Sequence, residues 1–256
     1  MRRPRIAEDG IQGDEVEIGW LHLETLKPDD LLFCDSLLSE HERARAERFH
    51  FRMDRVRFVA AHALLRLMLS RHAPVRPEAW HFAARAHGKP FVAGPSGTGL
   101  RFNLSHSQAV VACAITRVGE VGLDVETINR QFPAVQVAQG NFAPEEIETL
   151  RNTAPQHVAD TFTTIWVLKE ALLKAVGEGL SIPLDSFAFC LNPPRLCRDP
   201  GFLPANRKWR FHVFAPTPDH VLALAVQDAA ETVHIKQRKF TIVAPDLFQD
   251  DEEHSS

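Results

Sequence analysis

Apolar residues recur at three- and four-residue steps through Phe162, Ile165, Trp166, Leu172, Leu173 and Val176, which predicts a helix over 163–179 with one face in a core. Asp160 is placed to cap its start, and Gly177 and Gly179 to stop it. The same spacing in Val56, Val59, Ala60, Ala63, Leu64, Leu67 and Met68 predicts a mostly buried helix over about 54–71. Shorter helices start at the Ser39 to Glu42 capping box and at Pro144, which is followed by EEIETL. Strands are predicted at 17–23, 102–104, 109–115 and 121–126, then near 209–215, 220–226 and 232–242. The run at 109–115 is apolar throughout, as a central strand is.

The order of these elements suggests a duplication. HALLR at 62–66 answers EALLK at 170–174, an offset of 108 residues, and AVVACAI from Ala109 answers HVLALAV from His220, an offset of 111. Two similar α+β halves packed together would leave a cleft between them, where sites often lie. The division expected is a loose leader at 1–17, an N-terminal half at 18–127, a C-terminal half at 128–245 and an acidic tail at 246–256.

Composition narrows the classes without choosing among them. With 256 residues, 45% hydrophobic and 24% charged, the chain is an ordinary globular one. A net charge of -4 gives no general attraction to nucleic acid or an anionic membrane. No apolar run reaches the roughly 20 residues of a membrane span, and MRRPRIAEDG lacks the apolar region of a secretory signal, so a cytoplasmic location is expected. Cys34, Cys113, Cys190 and Cys197 are scattered, with no CxxC pair, and read as reduced thiols.

Four stretches could carry chemistry, and each also has a plainer reading. In VGLDVE at 121–126, alternation puts Asp124 and Glu126 on one strand face, an arrangement that suits a hard cation such as magnesium but also a solvated strand end. FNLSHS at 102–107 ends a strand with Ser105 and His106, whose hydroxyl and imidazole can donate to a phosphate; no GxSxG elbow surrounds the serine. Between Arg43 and Arg57 lie six arginines against Glu47 and Asp54, in which forks for phosphate and a solvated helix face are both open. His87, Gly88, Lys89 and Pro90 form a turn that offers one lysine. On the helix over 163–179, Glu170 and Lys174 are four apart beside Lys169, by themselves a surface pair. No Walker-type or Rossmann glycine loop occurs.

The order GKP, FNLSHS, VGLDVE, WVLKEALLK, followed by GLSIPLDSF at 179–187, closely resembles the Sfp-type 4′-phosphopantetheinyl transferases over about 18–245. The resemblance implies an α+β fold of two similar halves related by pseudo-twofold symmetry, with coenzyme A in the cleft between them. It implies transfer of 4′-phosphopantetheine from coenzyme A to a serine of an acyl or peptidyl carrier protein, with magnesium as cofactor and adenosine 3′,5′-bisphosphate as product. By position, Asp124, Glu126 and Glu170 match the magnesium-binding acids. Arg45, Arg57, Lys89, Pro90, Ser105, His106, Lys169 and Lys174 match coenzyme-binding positions, and Glu170, Lys174 and His106 the catalytic ones. Glu170 is then the candidate base, Lys174 the group at the departing oxygen, and His106 a clamp on the pyrophosphate. Val167 stands where Ser or Thr is common, Glu42 where some members carry a base, and the chain has no tyrosine. A fused pair of halves is expected to act as a monomer. Two other readings remain open: another magnesium-dependent phosphate-transfer enzyme with a nucleotide-like donor, and a non-catalytic carrier- or coenzyme-binding module.

Overall fold

The computed structural model describes residues 10–95, 97–177, 182–199, 201, 203, 208–228 and 233–244. The expected leader up to residue 9, the stop at Gly179 with the first three residues of GLSIPLDSF, and the acidic tail lie outside the described residues.

The strands form two main sheets. β1 (Glu15–His22), β4 (Arg101–His106), β5 (Val110–Thr116) and β11 (His234–Lys239) make one, in the order β11-β1-β5-β4. β6 (Val121–Thr127), β9 (Lys208–Thr217) and β10 (His220–Asp228) make the other, in the order β6-β10-β9. The triplets β1-β5-β4 and β6-β10-β9 have the same antiparallel pairing, so the two stretches matched by sequence, in β5 and β10, are the middle strands of corresponding units. Hairpins β2 (His81–Ala84) with β3 (Pro90–Gly94), and β7 (Ala188–Leu191) with β8 (Pro194–Arg198), lie at corresponding places in the chain.

The sheets face each other across a core of Val16, Ile18, Val110, Ala112, Ala114, Val121, Leu123, Val125, Leu222, Leu224 and Val226. Helix α3 (Arg52–His72) covers the outer face of the first sheet, against Val111, Cys113 and Ile115. Helix α6 (Val158–Val176) covers the second, against Ala223 and Ala225. β5 is therefore buried on both sides, the physical reason its sequence is apolar from Val110 to Ile115.

β6 pairs with β10, within the second main sheet. Two expectations are corrected. Asp160 does not cap α6, which grows out of a 3-10 turn at Pro155–His157 with His157 at its N-cap and leaves Asp160 inside the first turn. Nor does α6 bury one face only: its other side packs under α4 (Ala134–Gln139), α5 (Pro144–Arg151) and β7, so that Val167, Leu168, Ala171 and Leu172 are all buried. Gly177 does end it, with φ at 83° and its N–H on the Leu173 carbonyl. Ser39 caps α2 (Glu40–Ala46) as expected, its amide and hydroxyl exchanging bonds with Glu42.

Glu42 and Val167 also find structural reasons. Glu42 is buried between His62 and Arg66, and although burial raises its carboxyl, bonds from His62 and Ser39 and the charges of His62 and Arg66 hold it at about 2. Val167 is fully buried in the core that α6 shares with the second sheet, where a hydroxyl would find no water.

The approach of α6 to β6 depends on Gly122. A Cβ there would lie 2.0 Å from the Ala171 carbonyl oxygen and 2.4 Å from the Ala175 nitrogen, both backbone atoms. Gly122→Ala is therefore expected to push the helix off the strand and to cost about 1–3 kcal/mol. A urea titration checks this, and an unchanged midpoint would show that the contact is not tight. No helix among the described residues is long and apolar enough to cross a membrane.

Candidate active site

The strand period sends Val121, Leu123 and Val125 into the inter-sheet core, so Gly122, Asp124 and Glu126 face α6. Because position 122 has no side chain, α6 lies close enough for Glu170 and Lys174, one turn apart, to stand over the two strand acids. Ser105 and His106 come from the end of β4. Asp124, Glu126, Glu170, Lys174, Ser105 and His106 thus line one cleft of about 290 Å³ between the halves, closed by Leu104 and Trp166.

Electrostatics in the cleft are unbalanced. Lys174 Nζ lies 2.6 Å from Asp124 Oδ1 and 3.0 Å from Ser105 Oγ, which itself donates to Asp124 Oδ1 at 2.8 Å. Asp124 Oδ2 is buried and, among the described residues, has no hydrogen-bond partner. Burial and the Asp124 charge push the Glu126 carboxyl up to about 7, against the pull of Lys174. Burial and Asp124 also raise Glu170. For His106, burial and the neighbouring Lys174 and Arg57 charges lower the imidazole, which favours its neutral form rather than the protonated one that would add charge to the site.

The donor set fits a hard cation: an orphaned carboxylate oxygen and two carboxyls short of positive charge. The fit is not a finished cage. Among the described residues no three His, Cys, Asp or Glu side chains are gathered as a metal site, and Lys174 holds one oxygen of Asp124. Magnesium takes one or two carboxylates together with ligand phosphates, so such a cage is not required.

Two cavities flank the cleft. One of about 280 Å³ runs past Leu104, Glu170 and Lys174 to His87, Gly88, Lys89 and Pro90. The other, about 300 Å³, starts at Glu126 and Trp166 and is walled by Phe132 and Phe162.

The remaining sequence-derived site residues are placed unequally. Arg57 pairs with Asp54, donates to the Gln108 carbonyl and is close enough for its charge to act on His106. Arg45 lies over the Phe58 ring at 5.2 Å and lines none of the three cavities. Lys89 borders the flanking cavity, but its three donors go to Glu120 at 2.7 Å, Ala175 O at 2.6 Å and Val121 O at 3.2 Å. That ammonium ties the β2–β3 hairpin to α6 and β6 and has no donor left for a phosphate. Lys169 is a clear correction: its ammonium is inside the C-terminal half, with Glu146 at 2.8 Å and the Leu184 and Phe187 carbonyls at 2.7 Å. Successive helix residues point about 100° apart, so with Glu170 in the cleft Lys169 turns away from it. Gly122, Asn103, Glu120 and Glu146 were not foreseen. Of these, only Glu146 left a trace, as the third residue of the helix opened by Pro144, where a carboxylate reaches back to a free amide.

The two matching α+β units thus meet at a cleft lined by acids, a lysine and a histidine. The 4′-phosphopantetheinyl transferase superfamily pattern matches residues 120–225, and the N-terminal 4′-phosphopantetheinyl transferase pattern matches residues 26–117. The chain is similar to the 4′-phosphopantetheinyl transferase HetI of Nostoc sp., with 34% identity over 190 residues, 74% of this chain and 78% of that protein. It is also similar to the 4′-phosphopantetheinyl transferase Sfp of Bacillus subtilis, with 30% identity over 157 residues, 61% of this chain and 68% of that protein. The phosphopantetheinyl transferase of Thraustochytrium sp. is 30% identical over 169 residues, 60% of this chain and 58% of that protein. The chain belongs to the 4′-phosphopantetheinyl transferase superfamily.

Proposed function

We propose that the cleft moves 4′-phosphopantetheine from coenzyme A to a serine hydroxyl of an acyl or peptidyl carrier protein, in the Sfp manner, with magnesium held by Asp124, Glu126 and Glu170. The observation that carries this reading is the meeting of those three acids with Lys174 and His106 in one cleft between the halves. A bound magnesium would offset charge on the pyrophosphate. Phosphoryl transfer asks the protein mainly for positioning and charge neutralisation. Glu170, whose carboxyl is raised by burial and the Asp124 charge, takes the serine proton at its carboxylate as the new serine O–P bond forms. The pyrophosphate P–O bond breaks with its electron pair on adenosine 3′,5′-bisphosphate, and the Lys174 ammonium offsets that charge. His106 donates its imidazole N–H to a phosphate oxygen. Arg57, beside His106, suits the coenzyme's 3′-phosphate. The reading includes a cytoplasmic monomer that engages neither nucleic acid nor membrane, in keeping with a net charge of -4 and an interface already supplied within the chain.

The test mixes the chain with coenzyme A, magnesium and an apo carrier protein and follows the carrier by mass spectrometry. A phosphopantetheine-sized gain is expected, with none from Asp124→Ala at ordinary magnesium. An unmodified carrier with the intact chain overturns the proposal, whereas normal magnesium dependence in the variant overturns the ligand role of Asp124.

A further inference from the structure

The end of β4 does two things for β6. Asn103 Oδ1 accepts the Leu123 N–H at 2.9 Å, and Ser105 Oγ accepts the Val125 N–H at 3.2 Å, so side chains of the first half satisfy the backbone edge of β6 that β10 leaves open. Ser105 is engaged further. Its single proton goes to Asp124 Oδ1, and its oxygen also accepts from Lys174. A hydroxyl has one donor and two acceptor lone pairs, so Ser105, itself buried, is saturated. It has no proton left for a coenzyme phosphate.

We propose that Ser105 is a positioning residue that ties the two halves at β6 and fixes the Asp124 carboxylate, committing Oδ1 to the protein and leaving the unpartnered Oδ2 for the cation. The inference rests on the magnesium reading above and deepens it. Asp124 is on the second unit and Ser105 on the first, so the seam between halves and the orientation of the acid are set by the same side chain. An acid with both oxygens free to rotate would spread its charge over several positions; Ser105, which donates to Oδ1 and also accepts from the Lys174 ammonium that shares that oxygen, selects one.

The experiment measures Mn2+ binding by electron paramagnetic resonance, coenzyme A binding without metal by calorimetry, and melting temperature, in the full chain. Ser105→Ala is expected to weaken Mn2+ about tenfold or more, the usual effect of losing a group that orients a metal ligand, with coenzyme A affinity unchanged. Ser105→Thr, which keeps the hydroxyl, is expected to restore Mn2+ affinity. Asn103→Ala removes the neighbouring seam bond without touching Asp124, and should lower the melting temperature while leaving Mn2+ affinity as it is. Coenzyme A binding lost in Ser105→Ala with Mn2+ unchanged would show a phosphate contact and overturn the inference. Equal Mn2+ losses in Ser105→Ala and Asn103→Ala would reduce Ser105 to a seam residue and also overturn it. Asp124→Asn that binds Mn2+ like the intact chain would remove the magnesium reading itself, a failure distinct from the other two.

Discussion

Glu170→Gln is expected to lower transfer to a carrier protein by about a hundred- to ten-thousand-fold, the range over which a positioned proton acceptor acts. The change keeps the shape of the side chain and removes its charge, and with it the ability to take a proton and to hold a cation strongly. It should not weaken the fold. The Glu170 carboxyl is raised by burial and by the Asp124 charge, so its ionised form is disfavoured where it stands, and a neutral amide relieves that repulsion. The melting temperature should hold or rise. Steady-state transfer assays beside a thermal melt separate the outcomes: a folded variant with near-normal turnover would remove Glu170 from the chemistry.

Lys169→Met, one residue earlier, is expected to act on stability instead. Lys169 and Glu146 are both 0% exposed, and each side chain has all its polar partners inside the protein. The ammonium also sits 4.2 Å from the centre of the Phe187 ring. Burial lowers the lysine and raises the glutamate, and each opposes the other's shift. Removing one partner leaves an uncompensated buried carboxyl at the start of α5, a loss of about 3–5 kcal/mol. Adding Glu146→Gln to Lys169→Met should recover a good part of it, because the amide oxygen can still accept a backbone N–H while carrying no charge. Denaturant unfolding of the single and double variants checks both statements. At temperatures where Lys169→Met remains folded, the KM for coenzyme A should be little changed, since the ammonium is not in the cleft; a large rise in KM would return Lys169 to the coenzyme.

These two neighbours show where the sequence was legible. Periodicity alone places the acid and Lys174 on one stripe of α6, because residues four apart share a face. It also places Asp124 and Glu126 together, because strand side chains alternate. Both pairs stand as expected in the cleft. Periodicity could not say which side of α6 meets the cleft, since α6 is apolar nearly all round and is covered by the sheet on one side and by α4, α5 and β7 on the other. A charge in such a pattern can face either a ligand or a buried partner. Glu170 faces the first and Lys169 the second.

The same limit explains Lys89 and Ser105. A lysine in a tight turn reads as an available cation, and only its three acceptors, drawn from β6, α6 and Glu120, show that it is spent within the protein. A serine beside a histidine at a strand end reads as a phosphate donor until Asp124, Lys174 and the Val125 amide converge on it.

From its amino acids alone this chain declares its helices and strands, its repeated order, the residues able to carry the chemistry and, through the order of GKP, FNLSHS, VGLDVE and WVLKEALLK, its family. These follow from local spacing, which the backbone geometry of helix and strand reads directly. Which of those residues meet is settled by long-range pairing: β6 laddering with β10, β4 closing the other edge of β6 with side chains, and α6 seated on Gly122. A contact between residues far apart in the chain depends on how whole elements pack, and no local spacing records it.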